Sequence, residues 1–168
     1  MVADEARFQA YKKAFLYLGS ETPGKIWLEV GAGTGVLSLQ ALDGGHAAFI
    51  HCVEASAIYR QIEVVLNSNE HKGRYKVYNA RIEEVELSPV ETKVDYIFSE
   101  FMGYFLLHEN MLQSVLIAKD RFLKERLNDK DDAMVNQPLV IPYSCRIFLA
   151  AYSNLAHSEN MLKKFIYS

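Results

Sequence analysis

The chain has 168 residues, half of them hydrophobic and 23% charged, which suits a single globular domain with a substantial core. Its formal net charge of −3 at pH 7 gives no indication of a general nucleic-acid-binding protein. Two cysteines are too few for a disulfide framework, and no apolar run approaches roughly 18 residues, so we expect an intracellular protein without a signal peptide, a membrane span or a membrane partner.

The apolar patterns predict helices and strands that alternate along the chain. Residues 2–18 carry apolar side chains at spacings of three and four, which predicts a helix that stops at Gly19. The runs expected to form strands are 25–30, 47–56, 75–80, 94–100 and the longer extended stretch 138–152. The further helices are expected at 35–45, 57–69 and 108–127, the last being the longest, with a polar loop at 127–137 and an amphipathic tail at 154–168. This alternation predicts a parallel sheet with helices on both faces, an α/β fold.

A glycine-rich turn, "LEVGAGTG", follows the first predicted strand and contains Gly31, Gly33 and Gly35. Glycine in such a turn permits positive φ angles and a close approach of the backbone to a ligand. Glu54 ends the second predicted strand, where a carboxylate can accept both hydroxyls of a ribose. The combination favours a nucleoside site over the alternative, which is an ordinary tight turn with a solvated Glu54.

The spacing of the glycines narrows the kind of nucleoside. It is one residue shorter than the G-x-G-x-x-G spacing typical of dinucleotide sites. With Glu29 two residues before Gly31, it favours a ligand that carries a positive charge, such as S-adenosylmethionine. The carboxylate of that ligand needs a basic partner, for which Arg7 on the first helix is a candidate.

Residues 99–112, "SEFMGYFLLHENML", place Glu100 and Glu109 in an otherwise apolar and aromatic run. Carboxylates are costly to bury without a partner, so each of the two is expected to meet a cation. That cation is either a basic side chain of the same chain, such as Lys119 or Arg121, or a group on a bound molecule.

Five motifs together resemble the catalytic core of the protein arginine N-methyltransferases, in particular of their asymmetric-dimethylating branch. The segment "WLEVGAGTGVLSLQAL" resembles the first cofactor motif of that family, and "HCVEAS" resembles the motif that follows it. The segment "ARIEEVEL" is similar to its adenine-contacting segment, and "SEFMGYFLLHENML" to its double-glutamate loop. The opening "MVADEARFQAYKKAF" resembles the end of the helix that closes over the cofactor, and the matches are collinear from Met1 to about Tyr152.

The resemblance implies the transfer of a methyl group from S-adenosylmethionine to a guanidinium nitrogen of a protein arginine, with S-adenosylhomocysteine as the other product. Glu100 and Glu109 would be the catalytic residues that clamp the guanidinium. The positions that match the family's cofactor-binding residues are Arg7, Glu29, Gly31, Gly33, Glu54, Ile82, Glu83 and Met111. Met1 and Tyr104 match positions in the substrate pocket, and no metal site is implied.

The resemblance also implies a division of the chain. Residues 1–152 would form a Rossmann-like S-adenosylmethionine-dependent methyltransferase domain, and residues 153–168 a tail at the start of a β-barrel domain. Family members carry a further helix upstream and the complete barrel downstream, with an arm that makes a homodimer. We therefore expect a partial core with weak or no activity alone, and an exposed apolar patch where the barrel would pack.

The implied partners are arginine–glycine-rich or histone-like proteins, in the cytoplasm, the nucleus or both, and not nucleic acid. Two other readings of the sequence stay open. One is a non-catalytic interaction module that keeps the methyltransferase fold, against which the retention of both glutamates argues. The other is a methyltransferase for small molecules, for which a guanidino compound would be the sensible substrate.

Overall fold

Residues 4–21, 24–88, 93–125 and 139–149 are described by a computed structural model of the chain. Its strands are β1 (Lys25–Val30), β2 (Ala47–Val53), β3 (Tyr75–Tyr78), β4 (Tyr96–Phe98) and β5 (Val140–Ile141). Its α-helices are α1 (Glu5–Glu21), α2 (Val36–Asp43), α3 (Arg60–Ser68) and α4 (Leu112–Phe122), with short 3-10 helices at Ala57–Tyr59 and Ile82–Glu84. We call the second of these 3-10 helices the 82–84 turn. The predicted loop 127–137, the tail 153–168 and the substrate-pocket residue Met1 lie outside the described residues.

The five strands form one parallel sheet in the order β3-β2-β1-β4-β5. The chain moves outward from β1 through β2 to β3, and then returns to the other side of β1 as β4. Because the strand order reverses beside β1, the loops after β1 and β4 diverge and leave a crevice at the carboxyl ends of the strands. The predicted α/β, Rossmann-like fold is confirmed.

Two hydrophobic layers cover the two faces of the sheet. Helices α1, α2 and α3 pack on one face, and α4 with the 82–84 turn packs on the other. Successive side chains of a strand point to opposite faces, so Trp27 of β1 enters the first layer and Leu28 the second. Phe15 of α1 packs edge-on against the rings of Trp27 and Phe98, with centroids 5.3 and 5.0 Å apart. These contacts hold α1 against the face of the sheet over β1 and β4.

The helix α1 runs two residues beyond Gly19, where the sequence predicted its end. A Cβ atom at Gly19 would lie 2.3 Å from Nδ1 of His46. Glycine at this position therefore allows α1 to approach the segment before β2 closely, and it does not stop the helix.

The helix α4 is shorter than predicted, with 11 residues against the 17 of α1. The expectation that it would be the longest helix is wrong. Asn110, just before the helix, has a φ of 53°, which is not a helical conformation. At the other end, Leu123 adopts an extended conformation and pairs with Val94 beside the sheet.

Among the described residues, no helix has both the length and the apolar character needed to cross a membrane.

An apolar groove of about 690 Å³ lies between α4 and the segment that follows β5. Leu112, Leu116 and Tyr143 line it, and the nearby Phe148 and Leu149 are each 85% exposed. Cys145 also lines the groove and is exposed. The described residues thus include an exposed apolar surface, while the packing of a barrel domain on it and self-association through it stay predictions.

Replacement of Phe15 by alanine should lower the free energy of unfolding by about 3–5 kcal/mol, because a fully buried aromatic ring is lost from the contact of α1 with the sheet. Leu16→Ala is the matched control, since Leu16 is 48% exposed on the same helix and its loss should cost about 0.5 kcal/mol. Urea unfolding of both variants measures the difference. Equal destabilisation by the two substitutions would contradict the packing described here.

Candidate active site

A cavity of about 510 Å³ lies at the carboxyl ends of β1 and β2, where the sheet order predicts a crevice. Its walls come from the turns after these strands, from the segment around the 82–84 turn and from the start of α4. Five of the predicted cofactor-binding residues line it together with one predicted catalytic residue: Gly31, Glu54, Ile82, Glu83, Met111 and Glu109. These residues are up to 80 positions apart in the chain, so the fold gathers them at one place.

The turn after β1 brings its backbone against the cavity wall. The N–H groups of Gly31 and Ala32 both donate to the carbonyl of Val53 at the end of β2, at 2.9 and 3.0 Å. Gly31 has a φ of +72°, and a Cβ atom there would lie 2.4 Å from Cε of Met111. The backbone conformation therefore favours glycine, and the methyl end of the flexible Met111 side chain occupies the space where a Cβ atom would lie.

Glu54 stands at the end of β2, as predicted, and its carboxylate is fixed by two backbone donors. The N–H of Gly33 donates to Oε2 and the N–H of Ser56 donates to Oε1, both at 2.8 Å. Glu54 is only partly buried and lines the cavity. Each carboxylate oxygen has further lone pairs, so the group can accept additional hydrogen bonds from hydroxyl groups in the cavity.

Glu83 lies in the 82–84 turn and is exposed towards the cavity, whereas the neighbouring Ile82 is buried. The hydroxyl of Ser114 on α4 donates to Oε1 of Glu83 at 2.9 Å. The second carboxylate oxygen is left to accept a donor from a bound molecule.

Glu29 does not line the cavity and is 2% exposed, since β1 points its side chain into the layer below α2. Its Oε2 accepts a hydrogen bond from the hydroxyl of Ser38, whose oxygen lies 3.2 Å from Sγ of Cys52. Burial raises the pKa of Glu29 to about 8 and also raises the pKa of the Cys52 thiol. Its observed partner is thus Ser38, and the cofactor contact implied by the resemblance stays a prediction.

Arg7 and Glu100 form an ion pair that joins α1 to the loop after β4. Nη1 of Arg7 lies 2.7 Å from Oε1 of Glu100, whose side chain is 17% exposed. The same nitrogen donates to the carbonyl of Met102 at 3.3 Å, and Nε pairs with Asp4 at 3.1 Å. The cation expected beside Glu100 is therefore Arg7. The two basic side chains that the sequence offered as partners pair with other carboxylates, Lys119 with Asp120 and Arg121 with Glu86.

Glu109 ends the double-glutamate loop (residues 100–109) and is exposed at the cavity. The loop folds back on itself, so that a Cβ atom at Gly103 would lie 2.9 Å from Cγ of Glu109. Phe105 and Leu106 have φ angles of 52° and 63°, conformations that L-amino acids rarely adopt. Tyr104, predicted to lie near the reacting nitrogens, is 89% exposed and does not line the cavity.

Three residues that support the site were not identified from the sequence. Asp4 directly precedes α1, and its carboxylate accepts a hydrogen bond from the backbone N–H of Arg7 at 3.1 Å. An aspartate three positions before the arginine is the signal that could have found it. Ser114 and Arg121 hold the 82–84 turn from α4, more than thirty residues away in the chain, and no local pattern indicates that contact.

Within the described residues, no group of three His, Cys, Asp or Glu side chains could hold a metal ion.

The chain is similar to several curated proteins, although no protein-family model matches it. It is 37% identical over 155 residues to protein arginine N-methyltransferase 6 of Xenopus tropicalis, a match that covers 92% of this chain and 41% of that protein. It is 43% identical over 124 residues to protein arginine N-methyltransferase 6 of Danio rerio, covering 74% of this chain and 34% of that protein. The chain therefore spans between about a third and two fifths of the length of these relatives.

Solved structures share the fold. The Trypanosoma brucei PRMT1 enzyme-prozyme heterotetrameric complex with AdoHcy superimposes with a TM-score of 0.68 at 35% identity, covering 74% of this chain and 38% of that chain. Arabidopsis thaliana protein arginine methyltransferase 10, in an open conformation, gives a TM-score of 0.67 at 36% identity, covering 74% of this chain and 34% of that chain.

The free energy of unfolding depends on pH through the buried Glu29, in the direction opposite to that of a paired carboxylate. The pKa of the Glu29 carboxyl rises from 4.5 to about 8 on folding. Between pH of about 5 and 8 the carboxyl therefore keeps its proton in the folded chain and has lost it in the unfolded chain. The free energy of unfolding should therefore fall as pH rises through this window, by at most about 1.4 kcal/mol per pH unit from this group.

Glu29→Gln keeps a neutral side chain of the same shape at every pH. The free energy of unfolding of this variant, minus that of the wild type, should therefore increase as pH rises from about 5 to 8. Urea unfolding at pH 5, 6, 7 and 8 measures the difference between the two proteins. Curves that stay parallel across this range would show that Glu29 is not a buried neutral acid.

Proposed function

Because this chain is homologous in sequence and in fold to the protein arginine N-methyltransferases over about three quarters or more of its length, we propose that it binds S-adenosylmethionine and transfers its methyl group to a guanidinium nitrogen of protein arginine residues. The observation that carries the proposal is the single cavity at the carboxyl edge of the sheet. It joins the glycine turn and Glu54 to Glu83 and to Glu109, so that a nucleoside site and a free carboxylate share one wall.

The residues around this cavity fit the proposed cofactor. Gly31 and Met111 lie against each other at the cavity wall, and Glu54 presents oriented lone pairs that would accept hydrogen bonds from ribose hydroxyls. Glu83 offers an acceptor for an exocyclic amine, and Ile82 and Met111 supply apolar surface. Arg7 does not line this cavity, and we propose its guanidinium, which is paired with Asp4 and Glu100, as the donor for the carboxylate of the cofactor. When bound, the cofactor supplies an electrophilic methyl group on its sulfonium.

The charges around the double-glutamate loop favour a cation as the second substrate. Asp4, Glu100 and Glu109 bring three negative charges to this region, and Arg7 is the cation that neutralises Asp4 and Glu100 in part. The remaining negative charge attracts a guanidinium, whose five donors match the geometry of carboxylates. We propose arginine side chains of proteins, presented on a flexible segment, as the substrate.

The two glutamates would activate the guanidinium by position and by charge. A free arginine has a pKa above about 12, so it enters protonated and is a weak nucleophile. Hydrogen bonds to Glu100 and Glu109 would draw the positive charge towards the nitrogens that face them, which leaves more electron density on the remaining terminal nitrogen. Oriented carboxylates in a partly desolvated loop act more strongly than they would in water.

Binding of the nucleoside can be tested without turnover. S-adenosylhomocysteine at a hundred times its dissociation constant should stabilise the chain by roughly 2.7 kcal/mol, a rise in Tm of very roughly 5–10 °C. Glu54→Ala should remove the rise, because it deletes the acceptor for the ribose. Glu63→Ala is the matched control, since Glu63 is exposed on α3 away from the cavity. A wild-type chain that shows no shift, together with no heat of binding in calorimetry, would refute the nucleoside site.

The guanidinium site is tested by Glu109→Gln, which keeps the shape of the side chain and removes its charge. We expect methyl transfer from radiolabelled S-adenosylmethionine to an arginine–glycine peptide to fall at least about a hundredfold, while the Kd of S-adenosylhomocysteine changes less than about threefold. Calorimetry with the peptide and S-adenosylhomocysteine together measures guanidinium binding even where turnover is slow. Unchanged turnover and peptide affinity in this variant would remove Glu109 from the mechanism, and transfer to free guanidino compounds alone would point to a small-molecule enzyme.

A further inference from the structure

The side chain of Arg121 on α4 reaches the 82–84 turn and binds its backbone. Nη1 donates to the carbonyls of Ile82 and Glu83 at 2.9 and 2.7 Å, and Nη2 donates to the carbonyl of Val85 at 2.8 Å. Nη2 also lies 3.4 Å from Oε1 of Glu86. One guanidinium thus binds three carbonyl groups, those of Ile82, Glu83 and Val85, in a short segment that belongs to no strand of the described sheet.

Arginine suits this position in a way that lysine does not. Its planar fork holds several donors at fixed directions, whereas an ammonium is a single point from which three carbonyls cannot all be reached in good geometry. The guanidinium of Arg121 also lies over the ring of Phe122, with its carbon 4.7 Å from the centroid. The ring is 4% exposed, so this contact holds the arginine against a fixed surface.

The segment that Arg121 binds is strongly acidic, with Glu83, Glu84 and Glu86 within four positions. These like charges repel one another and oppose the tight turn, and a cation at its centre offsets the repulsion. The side chain of Arg121 is 32% exposed, so its hydrogen bonds are partly shielded from water.

A second contact links the same helix to the same turn. Ser114 donates to the carboxylate of Glu83, and it lies seven positions before Arg121, two helical turns away on the same face of α4. α4 therefore holds the backbone of the turn at one point and the carboxylate of Glu83 at another. The direction in which Glu83 faces the cavity is set by α4 and not by the turn alone.

We propose that Arg121 is a positioning residue for nucleobase recognition, which holds the 82–84 turn so that the carboxylate of Glu83 faces the exocyclic amine of a bound adenine. This inference rests on the proposed function, since it requires a nucleoside in the cavity. It means that α4, which begins three residues after Glu109, controls the selectivity of the cavity for adenine.

The experiment compares two ligands that differ at one position of the base. S-adenosylhomocysteine carries an exocyclic amine, and S-inosylhomocysteine carries a carbonyl oxygen there, which a carboxylate would repel. We expect the wild-type chain to prefer the adenine compound by about tenfold or more, the size of a charge-assisted hydrogen bond. In Arg121→Met the preference should shrink to less than about threefold, because the turn is released and Glu83 is no longer directed at the base.

Two further variants separate positioning from a general loss of stability. Lys119→Met removes a cation from the same helix that pairs, among the residues the structure describes, with its neighbour Asp120, and it should keep the wild-type preference. Arg121→Lys keeps the charge but not the fork, and it should recover only part of the preference. If Arg121→Met folds poorly, Arg121→Lys supplies the comparison, with the Tm of each variant measured beside its two dissociation constants.

The outcomes distinguish the two proposals. A wild-type chain that binds neither compound refutes the proposed function. A wild-type chain that binds both equally, or Arg121 variants that lose stability but keep the full preference for adenine, refute the role of Arg121 and leave the nucleoside site in place. Loss of preference in the Arg121 variants, with Lys119→Met unchanged, supports it.

Discussion

The wall of the site that carries the glycine turn depends on the reversal of strand order beside β1. Parallel strands bring their carboxyl ends to one edge of the sheet, and the reversal separates the loops that leave β1 and β4. The glycine turn, Glu54 and Glu100 each follow directly from the end of a strand, so their places are fixed by backbone pairing. Trp27 and Phe98, packed under Phe15, then hold α1 against the same edge and bring Arg7 to Glu100.

The second wall of the cavity has a different origin. The 82–84 turn belongs to no strand of the described sheet. It is anchored by the buried side chain of Ile82 and by side chains of α4 that bind its carbonyl groups and the carboxylate of Glu83. The helix α4 is itself placed by Val115, Ala118 and Phe122, which pack on the face of the sheet opposite α1. The cavity therefore lies between a wall fixed by the sheet and a wall fixed by one helix.

Much of the fold could be predicted because its signals are local. β1 was predicted at the bounds observed, since an apolar run ends at a glycine turn, and Gly44 closes α2 where expected. The bounds of α4 were wrong because left-handed residues in the loop and the pairing of Leu123 with Val94 override helix propensity. The pair of Arg7 with Glu100 joins residues 93 positions apart, and nothing in either local sequence indicates it. The resemblance to a known family supplied the roles of the site residues, while the burial of Glu29 required coordinates.

The two cysteines lie in opposite surroundings, and this difference has a practical use. Cys52 is fully buried beside Ser38, and burial raises the pKa of its thiol, so it has little reactive thiolate. Cys145 is exposed at the rim of the apolar groove. A maleimide fluorophore or spin label would therefore attach at one position of these 168 residues, Cys145. Such a label needs no engineered cysteine, and its signal would change when another molecule enters the groove.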